Sequence, residues 1–320
     1  MEHRVLGSTG LTIAPIVLGG NVFGWTIDEK ASFDVLDAFI DHGFNAIDTA
    51  DVYSAWVPGN VGGESETIIG NWFKARPGAR DKVTIFTKVG MSLGKPSQTG
   101  LSEKWIVDAV EQSLIRLGIE TIDLYFSHQF DPETPHQETL GAFEKLLKAG
   151  KIRAIGASNF DADQLGEALE VSRRDGLPAY QVLQPEYNLY DRASYDGPLR
   201  DLAIRQGLGV VTYYSLASGF LSGKYRADRA QADLGQSKRG DGIVKYLNPR
   251  GWAILDALDT VSARHSAQPA EVALAWLIAR QGVTAPIASA TRVGHVESFA
   301  RAAQLPLATH DIALLDAASA

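Results

Sequence analysis

The feature that most constrains the fold is a repeated alternation of short apolar runs and amphipathic segments along the 320 residues. Each run reads as a buried strand, and each is followed by apolar residues three and four positions apart, as on the buried face of a helix. The predicted strands are Ile16–Leu18, Asn45–Ile47, Val83–Thr87, Ile122–Phe126, Ala154–Gly156, Val182–Gln184, Val210–Thr212 and Ala285–Ile287. The chain is therefore predicted to be built from repeated βα units.

The helical pattern is clearest in "LSEKWIVDAVEQSLIRLG", residues 101–118. Ser102 is the predicted N-cap because its hydroxyl can accept a hydrogen bond from a free backbone N–H. Gly118 is predicted to end the helix because glycine readily adopts the left-handed conformation. Comparable patterns predict helices around Val35–Ile40, Thr67–Phe73, Leu140–Leu147, Leu165–Val171, Leu199–Ile204, Val272–Ile278 and Val296–Ala303.

Eight strands that alternate with eight helices can form an open doubly wound sheet or a closed (β/α)8 TIM barrel, and periodicity alone does not separate the two. The count of eight favours the barrel, folded as a single domain over residues 1–320. Two segments lie outside the alternation. "RVLGSTGLTIAP" predicts an N-terminal β-hairpin that plugs the lower end of the barrel, and "RADRAQADLGQSKRGDG" predicts a long loop after strand seven, either a lid or a disordered connection.

Composition excludes several functional classes. The formal charge is −8 with scattered basic residues, which argues against nucleic acid and anionic membranes as partners. The amino terminus has no signal-like apolar run and no long apolar segment occurs elsewhere, so we expect a cytoplasmic protein. Cysteine is absent and the seven histidines are scattered, which predicts no disulfide, no cysteine nucleophile and no metal site.

In a barrel of this type the active site lies at the carboxyl ends of the strands. Asp48 ends the second predicted strand, Lys88 follows the third and His128 follows the fourth, while Tyr53 lies in the loop after Asp48. A buried carboxylate and ammonium must pair, and an adjacent Lys⁺ is expected to lower the pKa of a phenol. For any one of these residues alone, a structural role is the favoured interpretation. Together they predict proton transfer to or from a carbonyl or alcohol oxygen.

These residues stand in "IDTADVY", "FTKVG" and "LYFSHQFDP", which resemble the catalytic blocks of the aldo-keto reductases. The resemblance continues through "GKIRAIGASNF", "VLQPEYNLYDR", "VTYYSLASGFLSGKY" and "PIASATRVGHVE", and covers nearly the whole chain. It implies an NAD(P)H-dependent oxidoreductase that reduces aldehydes or ketones to alcohols, or catalyses the reverse, by direct hydride transfer. Tyr53 would be the general acid or base, with His128 polarising the oxygen and Lys88 and Asp48 tuning the phenol.

The same resemblance implies how a nicotinamide dinucleotide is held. Ser158, Asn159 and Gln184 would bind the nicotinamide carboxamide. Tyr214 would stack on the nicotinamide ring, and its neighbour Tyr213 is expected to point elsewhere if strand alternation persists. Further contacts are expected from Gly20, Ser215, Leu216, Gly219 and Lys224, the last four within or beside the pyrophosphate loop.

The adenosine end is expected to favour NADP(H). Ser289 and Arg292 occupy positions where the family commonly contacts the 2′-phosphate, and a guanidinium suits that dianion. His295 and Phe299 stand where many members carry Arg or Gln and an adenine-contacting Asn, so NAD(H) remains an alternative cofactor.

Trp25, Trp56 and Phe130 are the candidate substrate contacts, and they suggest aromatic or apolar carbonyl compounds. Each can equally be a core or rim aromatic. Asp51 is interpreted as a solvated turn residue, and Thr49 as a helper of the cofactor or the lysine. The physiological substrate, reaction direction and oligomeric state stay open.

Two other functions were weighed. Some relatives of these enzymes are nucleotide-binding regulatory subunits of membrane channels, and this reading is less favoured because the sequence begins at the hairpin without an extension to act on a partner. A barrel glycosidase would need two acids about 5–10 Å apart across a sugar site, and Lys88 beside Asp48 argues against it.

Overall fold

The computed structural model describes residues 1–226 and 240–320. The strands of these ranges are β1 (Arg4–Val5), β2 (Thr12–Ile13), β3 (Val17–Gly19), β4 (Ala46–Asp48), β5 (Thr84–Val89), β6 (Ile122–Ser127), β7 (Ile152–Ser158), β8 (Val182–Gln184), β9 (Gly209–Thr212) and β10 (Ala285–Ala288). The helices are α1 (Glu29–Asp41), α2 (Glu64–Ala75), α3 (Glu103–Leu117), α4 (His136–Lys148), α5 (Ala162–Asp175), α6 (Pro198–Arg205), α7 (Pro249–His265), α8 (Pro269–Ala279), α9 (Val293–Ala302) and α10 (Thr309–Ala318).

Strands β3 to β10 close into a parallel barrel, with β10 paired to β3 through Ile287 and Val17. The prediction of a (β/α)8 barrel, drawn from the count of strands, is therefore confirmed. Each predicted strand overlaps an observed one. The largest extension is β7, where the backbone pairing with β6 runs from Ile152 to Ala157.

The N-terminal hairpin is also confirmed as a plug. Strands β1 and β2 pair antiparallel, with Arg4 opposite Ile13. Leu6 and Ile13 are fully buried and pack with barrel-interior side chains such as Phe86 and Val211. The hairpin therefore covers the lower end of the barrel and excludes water from its interior, which leaves the opposite end as the open mouth.

The predicted caps of helix α3 are confirmed by the structure. Ser102 Oγ accepts a hydrogen bond from Trp105 N, and Gly118 ends α3 at φ 65°. Helices α7 and α10 were not predicted, although Asn248 caps α7 through Gly251 N. The predicted long loop falls mostly on residues 227–239, outside the described ranges. No helix in the described ranges is long and apolar enough to cross a bilayer.

Candidate active site at the barrel mouth

The parallel register brings the four predicted catalytic side chains to one end of the barrel. Asp48 is the last residue of β4, and Tyr53 lies in the turn that follows it. Lys88 was predicted to follow its strand, but it lies within β5, opposite Phe126. His128 comes directly after β6, and its backbone N donates to Val89 O over 2.8 Å.

Lys88 is the centre of the hydrogen-bond network. Its Nζ donates to Asp48 Oδ2 over 2.7 Å, to Thr49 O over 2.7 Å and to the Tyr53 hydroxyl over 3.0 Å. The Tyr53 hydroxyl donates to Asp48 Oδ2 over 3.2 Å. The three donors of the ammonium are thus matched to three acceptors, which fixes the phenol relative to the ion pair. Thr49 was expected to assist either the cofactor or the lysine. Its backbone carbonyl accepts a hydrogen bond from Lys88, so it assists the lysine.

The other carboxylate oxygen of Asp48 has a partner that the sequence did not indicate. Gln184 Nε2 donates to Asp48 Oδ1 over 2.9 Å, and both side chains are buried. Gln184 ends β8, on the far side of the barrel mouth from β4, so this bond crosses the mouth. A side chain expected to bind the nicotinamide carboxamide therefore also holds the acid of the ion pair.

Lys88 was expected to lower the pKa of Tyr53, but the net shift of that pKa in the structure is upward. Burial of the phenol, followed by the neighbouring Asp48 carboxylate, raises the pKa of Tyr53 well above its usual range. Burial also lowers the pKa of Lys88, against the opposing charge of Asp48. Desolvation and the nearby anion both disfavour a phenolate. Tyr53 therefore carries its hydroxyl proton at neutral pH and can donate it.

His128 is neutral in this environment. Burial, and next the charge of Lys88, lowers the pKa of the imidazole well below its usual value. Its Nδ1 is enclosed without a hydrogen-bond partner among the described residues, which leaves Nε2 for a substrate oxygen. The His128 and Tyr53 ring centroids are 6.0 Å apart. A neutral histidine and a protonated phenol can both donate to one oxygen placed between them.

Asp51 was interpreted as a solvated turn residue, and this is wrong. It is 1% exposed, and neither carboxylate oxygen has a side-chain or backbone partner within the described part of the chain. Burial, with Glu66 as the next cause, raises the pKa of Asp51 well above its usual range. The polar sequence around it suggested a surface turn, but the turn that carries Tyr53 folds back against the barrel and encloses this side chain.

A cleft of about 1020 Å³ opens at the mouth and contacts Asp48, Tyr53 and His128. Most of the predicted cofactor contacts line it, namely Ser158, Asn159, Gln184, Tyr214, Ser215, Leu216, Gly219, Lys224, Ser289 and Arg292. Gly20 does not, although its neighbours Gly19 and Asn21 do. A Cβ on Gly20 would lie 2.9 Å from Ser65 Oγ and 3.0 Å from Asp48 O. Gly20 therefore permits close packing beneath the cleft.

Tyr213 was expected to point away from the cleft, and the structure places it in the lining beside Tyr214. Alternation ends here because Tyr214 adopts φ 52°, a left-handed conformation, as the chain leaves β9. The two rings are 5.2 Å apart. Tyr214 is 46% exposed, so its ring is open to stack on a planar ligand. The sequence shows two adjacent tyrosines, but it did not predict that both side chains line the cleft.

The basic end of the cleft contains Lys224 and Arg292. Arg292 Nε donates to His295 Nε2 over 3.1 Å, and His295 Nδ1, which then carries the ring hydrogen, lies 3.4 Å from Thr291 Oγ1 as its acceptor. Burial, then the charges of Arg292 and Lys224, lowers the pKa of His295. A neutral imidazole can accept from the guanidinium. His295, which departs from the usual family residue, thus orients Arg292.

Ser289 also lines this part of the cleft, and its Oγ donates to Asn21 Oδ1 over 2.7 Å. Asn21 was not among the predicted contacts, and no motif marked it. Phe299 is 3% exposed and contributes to the same wall. The end of the cleft that is expected to bind adenosine therefore combines hydroxyl and amide groups with an apolar surface.

Only one of the three aromatic candidates for substrate contact lines the cleft. Trp56 does so, next to Tyr53, and is 49% exposed. Trp25 packs edge to face on Trp56, with ring centroids 5.5 Å apart. Phe130 instead packs on Phe160 at 5.7 Å, outside the cleft lining. Further apolar residues of the lining, which the sequence did not single out, are Val52, Ile27 and Met91.

Within the described ranges, no group of three or more His, Cys, Asp or Glu residues is arranged to hold a metal ion. The mouth presents a protonated phenol, a neutral imidazole and a buried ion pair beside a long cleft.

Comparison with known proteins identifies the same family as the motifs. Residues 15–320 match the model of the aldo/keto reductase family. The chain is 34% identical to the uncharacterized oxidoreductase YrpG of Bacillus subtilis over 315 residues, which span 96% of this chain and 92% of that protein. It is 30% identical to a probable voltage-gated potassium channel subunit beta of Oryza sativa over 321 residues, 98% and 94% of the two chains. It is also 30% identical to an aldo-keto reductase of Fusarium vanettenii, over 93% of this chain and 85% of that one.

Proposed function

The chain belongs to the aldo/keto reductase family, and from this premise we propose that it is an NADP(H)-dependent enzyme that reduces aldehydes or ketones to alcohols, or catalyses the reverse reaction. The observation that carries the proposal is the bonding of Lys88 Nζ to both Asp48 and the Tyr53 hydroxyl at the cleft. Such a phenol, held protonated beside an open cleft, is suited to proton transfer to an oxygen.

The cleft fits a nicotinamide dinucleotide. It places amide and hydroxyl groups near the phenol, an exposed tyrosine ring beside them, and Lys224 and Arg292 at the other end. These groups match a carboxamide, a planar ring and phosphates, respectively. Ser158, Asn159 and Gln184 would hold the carboxamide, and Tyr214 would support the ring. A bound reduced nicotinamide would supply a hydride to the carbonyl carbon.

Each protein group has a separate task in the proposed reaction. Tyr53 donates its proton to the carbonyl oxygen as negative charge develops there. His128, neutral and with Nε2 available, donates a hydrogen bond to the same oxygen and orients it. Lys88 stabilises the phenolate that remains, and Asp48 keeps Lys88 in place. In the reverse direction Tyr53, as phenolate, accepts the proton of an alcohol.

We propose NADP(H) as the preferred cofactor, with NAD(H) as the alternative. Arg292 is exposed and orientated by His295, and Lys224 lies near the same imidazole. A dianionic 2′-phosphate would interact more favourably with these two cations than the 2′-hydroxyl of NAD(H) would. The substitution of Phe299 for an adenine-contacting asparagine is the feature that leaves NAD(H) open.

The proposed substrates are neutral aromatic or apolar carbonyl compounds. Around Tyr53 the cleft lining carries Trp56, Val52, Ile27 and Met91, whereas the basic residues of the described lining lie toward the opposite end. Apolar walls favour apolar substrates through burial of surface. A charged substrate would find no unpaired opposite charge beside the phenol within the described ranges, because Lys88 and Asp48 are paired with each other.

A second candidate is a nucleotide-binding regulatory subunit with little turnover. Relatives in rice, Arabidopsis thaliana and Schizosaccharomyces pombe are named as probable or putative voltage-gated potassium channel beta subunits, at 29–30% identity over 91–98% of this chain. The enzyme is preferred because the four proposed catalytic side chains are present, with Asp48, Lys88 and Tyr53 joined by hydrogen bonds and the His128 ring beside Tyr53.

The discriminating experiment is a fluorescence titration with NADPH and NADH, followed by cofactor oxidation with aromatic aldehydes, aliphatic ketones and sugars. Binding with turnover on the aromatic aldehydes is the expected result. Binding without turnover on any class would favour the regulatory subunit, and the absence of binding would refute the cofactor site.

A further inference from the structure

Asn159 lies between the catalytic histidine and the tyrosine that the sequence had excluded from the site. Its Nδ2 donates to His128 O over 2.8 Å and to Ser158 Oγ over 3.2 Å. Its Oδ1 accepts from the Tyr213 hydroxyl over 2.7 Å. The His128 carbonyl can only accept, so the amide nitrogen must face it and the oxygen must face Tyr213. The orientation of this amide is therefore defined by its neighbours.

The hydrogen-bond capacity of these groups limits what they can offer a ligand. A primary amide has two N–H donors and two acceptor lone pairs on its oxygen. Both donors of Asn159 are engaged, so a lone pair on Oδ1 is what remains. Ser158 donates its hydroxyl hydrogen to Gln184 O over 2.9 Å, so it too is left with acceptor capacity. Asn159 and Ser158 thus face a ligand as acceptors.

We propose that Tyr213 is a positioning residue that holds Asn159 as an acceptor, so that the site recognises the nicotinamide carboxamide through its amino group. This inference rests on the proposed function. The amino group is the donor half of the carboxamide, whereas its oxygen would meet oxygen lone pairs at Asn159 and Ser158. Tyr213 is well placed for the task, since its backbone N is held by Pro185 O over 3.0 Å and its O accepts from Tyr187 N over 3.2 Å.

The test compares two cofactors that differ in that amino group. In the 3-acetylpyridine analogue of NADPH a methyl group replaces the amino group, while the carbonyl oxygen and the rest of the dinucleotide are kept. The unchanged protein is expected to bind NADPH about tenfold more tightly than the analogue, as for one hydrogen bond together with an acceptor left unpaired. Dissociation constants are measured by fluorescence titration.

The variant Tyr213→Phe removes the hydroxyl and keeps the ring. Asn159 Oδ1 then loses its fixed donor, and the amide is free to move in the cleft. NADPH affinity is expected to fall several-fold while affinity for the analogue stays the same, so that the ratio of the two shrinks toward one. If the role of Tyr213 were purely structural, Tyr213→Phe would lower the affinity for NADPH and for the analogue equally and leave the ratio of the two affinities unchanged.

The matched control is Tyr190→Phe, which removes a tyrosine hydroxyl bonded to Asn248, outside the described cleft lining. It is expected to keep the tenfold ratio. Thermal unfolding of each variant establishes that it is folded, and Tyr213→Met, which also lacks the hydroxyl, replaces Tyr213→Phe if that variant is unstable. An unchanged ratio in the folded Tyr213 variant overturns the inference. Failure of the unchanged protein to bind either dinucleotide overturns the proposed function itself.

Discussion

Gln184 Nε2 donates a hydrogen bond to Asp48 Oδ1 across the barrel mouth, over 2.9 Å. Since Asp48 also holds Lys88 and Tyr53 through its other oxygen, Gln184 joins the expected cofactor site to the buried ion pair. In the proposed reaction, cofactor binding and proton transfer would therefore share a residue. A change at Gln184 is expected to affect both.

The variant Gln184→Leu tests this link. Removing the amide leaves a buried carboxylate oxygen without its donor, so the protein is expected to lose about 1–3 kcal/mol of unfolding free energy and turnover is expected to fall together with cofactor affinity. Gln181→Leu is the control, because Gln181 donates to Ser8 O at the closed end of the barrel. Urea unfolding and steady-state kinetics measure the effects. A loss of cofactor affinity alone would restrict Gln184 to the cofactor.

Replacing Tyr53 by Phe tests the proton donor. The phenol is the proposed acid, so carbonyl reduction is expected to fall by a factor of at least about 100. Cofactor affinity is expected to stay within about twofold, because the ring and its neighbours are kept. Stopped-flow oxidation of NADPH and fluorescence titration provide the two readings. Tyr190→Phe, with its hydroxyl outside the described cleft lining, should behave as the unchanged protein; undiminished turnover in Tyr53→Phe would assign the acid elsewhere.

The variant Arg292→Ala tests the proposed 2′-phosphate contact. NADPH affinity is expected to drop by roughly 10–100-fold, the loss of a charge-assisted contact, whereas NADH affinity should barely change. Titrating both cofactors measures the ratio of affinities. The control is Arg173→Ala, since Arg173 pairs with Glu170 on the exposed face of α5. Equal losses for NADPH and NADH would contradict this assignment.

The buried Asp51 predicts an unusual pH dependence of stability. Its folded pKa is raised, so the folded state keeps a proton that the unfolded state releases above about pH 3.9. Wild-type stability therefore declines as pH rises from that value through the folded pKa. Asp51→Asn does not titrate, so it is expected to exceed the wild type by on the order of 1–3 kcal/mol at neutral pH and by less in acid.

Urea unfolding from pH 4 to pH 8 measures the Asp51 prediction. Asp34→Asn is the matched control, since Asp34 is an exposed residue of α1 that pairs with Lys30. Its effect on stability is expected to be small throughout the range. A lower stability of Asp51→Asn at pH 8 would show that Asp51 is ionised and favourably paired in the folded protein.

Helices α7 and α10 of the described ranges were not predicted from the sequence pattern. The eight strands were predicted because each is a short apolar run bounded by polar residues, a local property. Helix α7 carried readable signals, Asn248 as cap and Pro249 at its start, but followed the long polar segment and was not recognised. Helix α10 begins at Thr309, and its N-cap Ala308 has no side-chain acceptor, so the helix lacked a strong start signal.

The sequence by itself determined the barrel, the hairpin that plugs it and the identity of Asp48, Tyr53, Lys88 and His128, because strand ends and local motifs are encoded by neighbouring residues. Tertiary structure decided which side chains meet across the mouth. The bond from Gln184 to Asp48, the contact of Tyr213 with Asn159, and the burial of Asp51 all depend on turns and strands that are distant in sequence. Local periodicity specifies which face of an element is apolar, but partners across a closed barrel are set by packing.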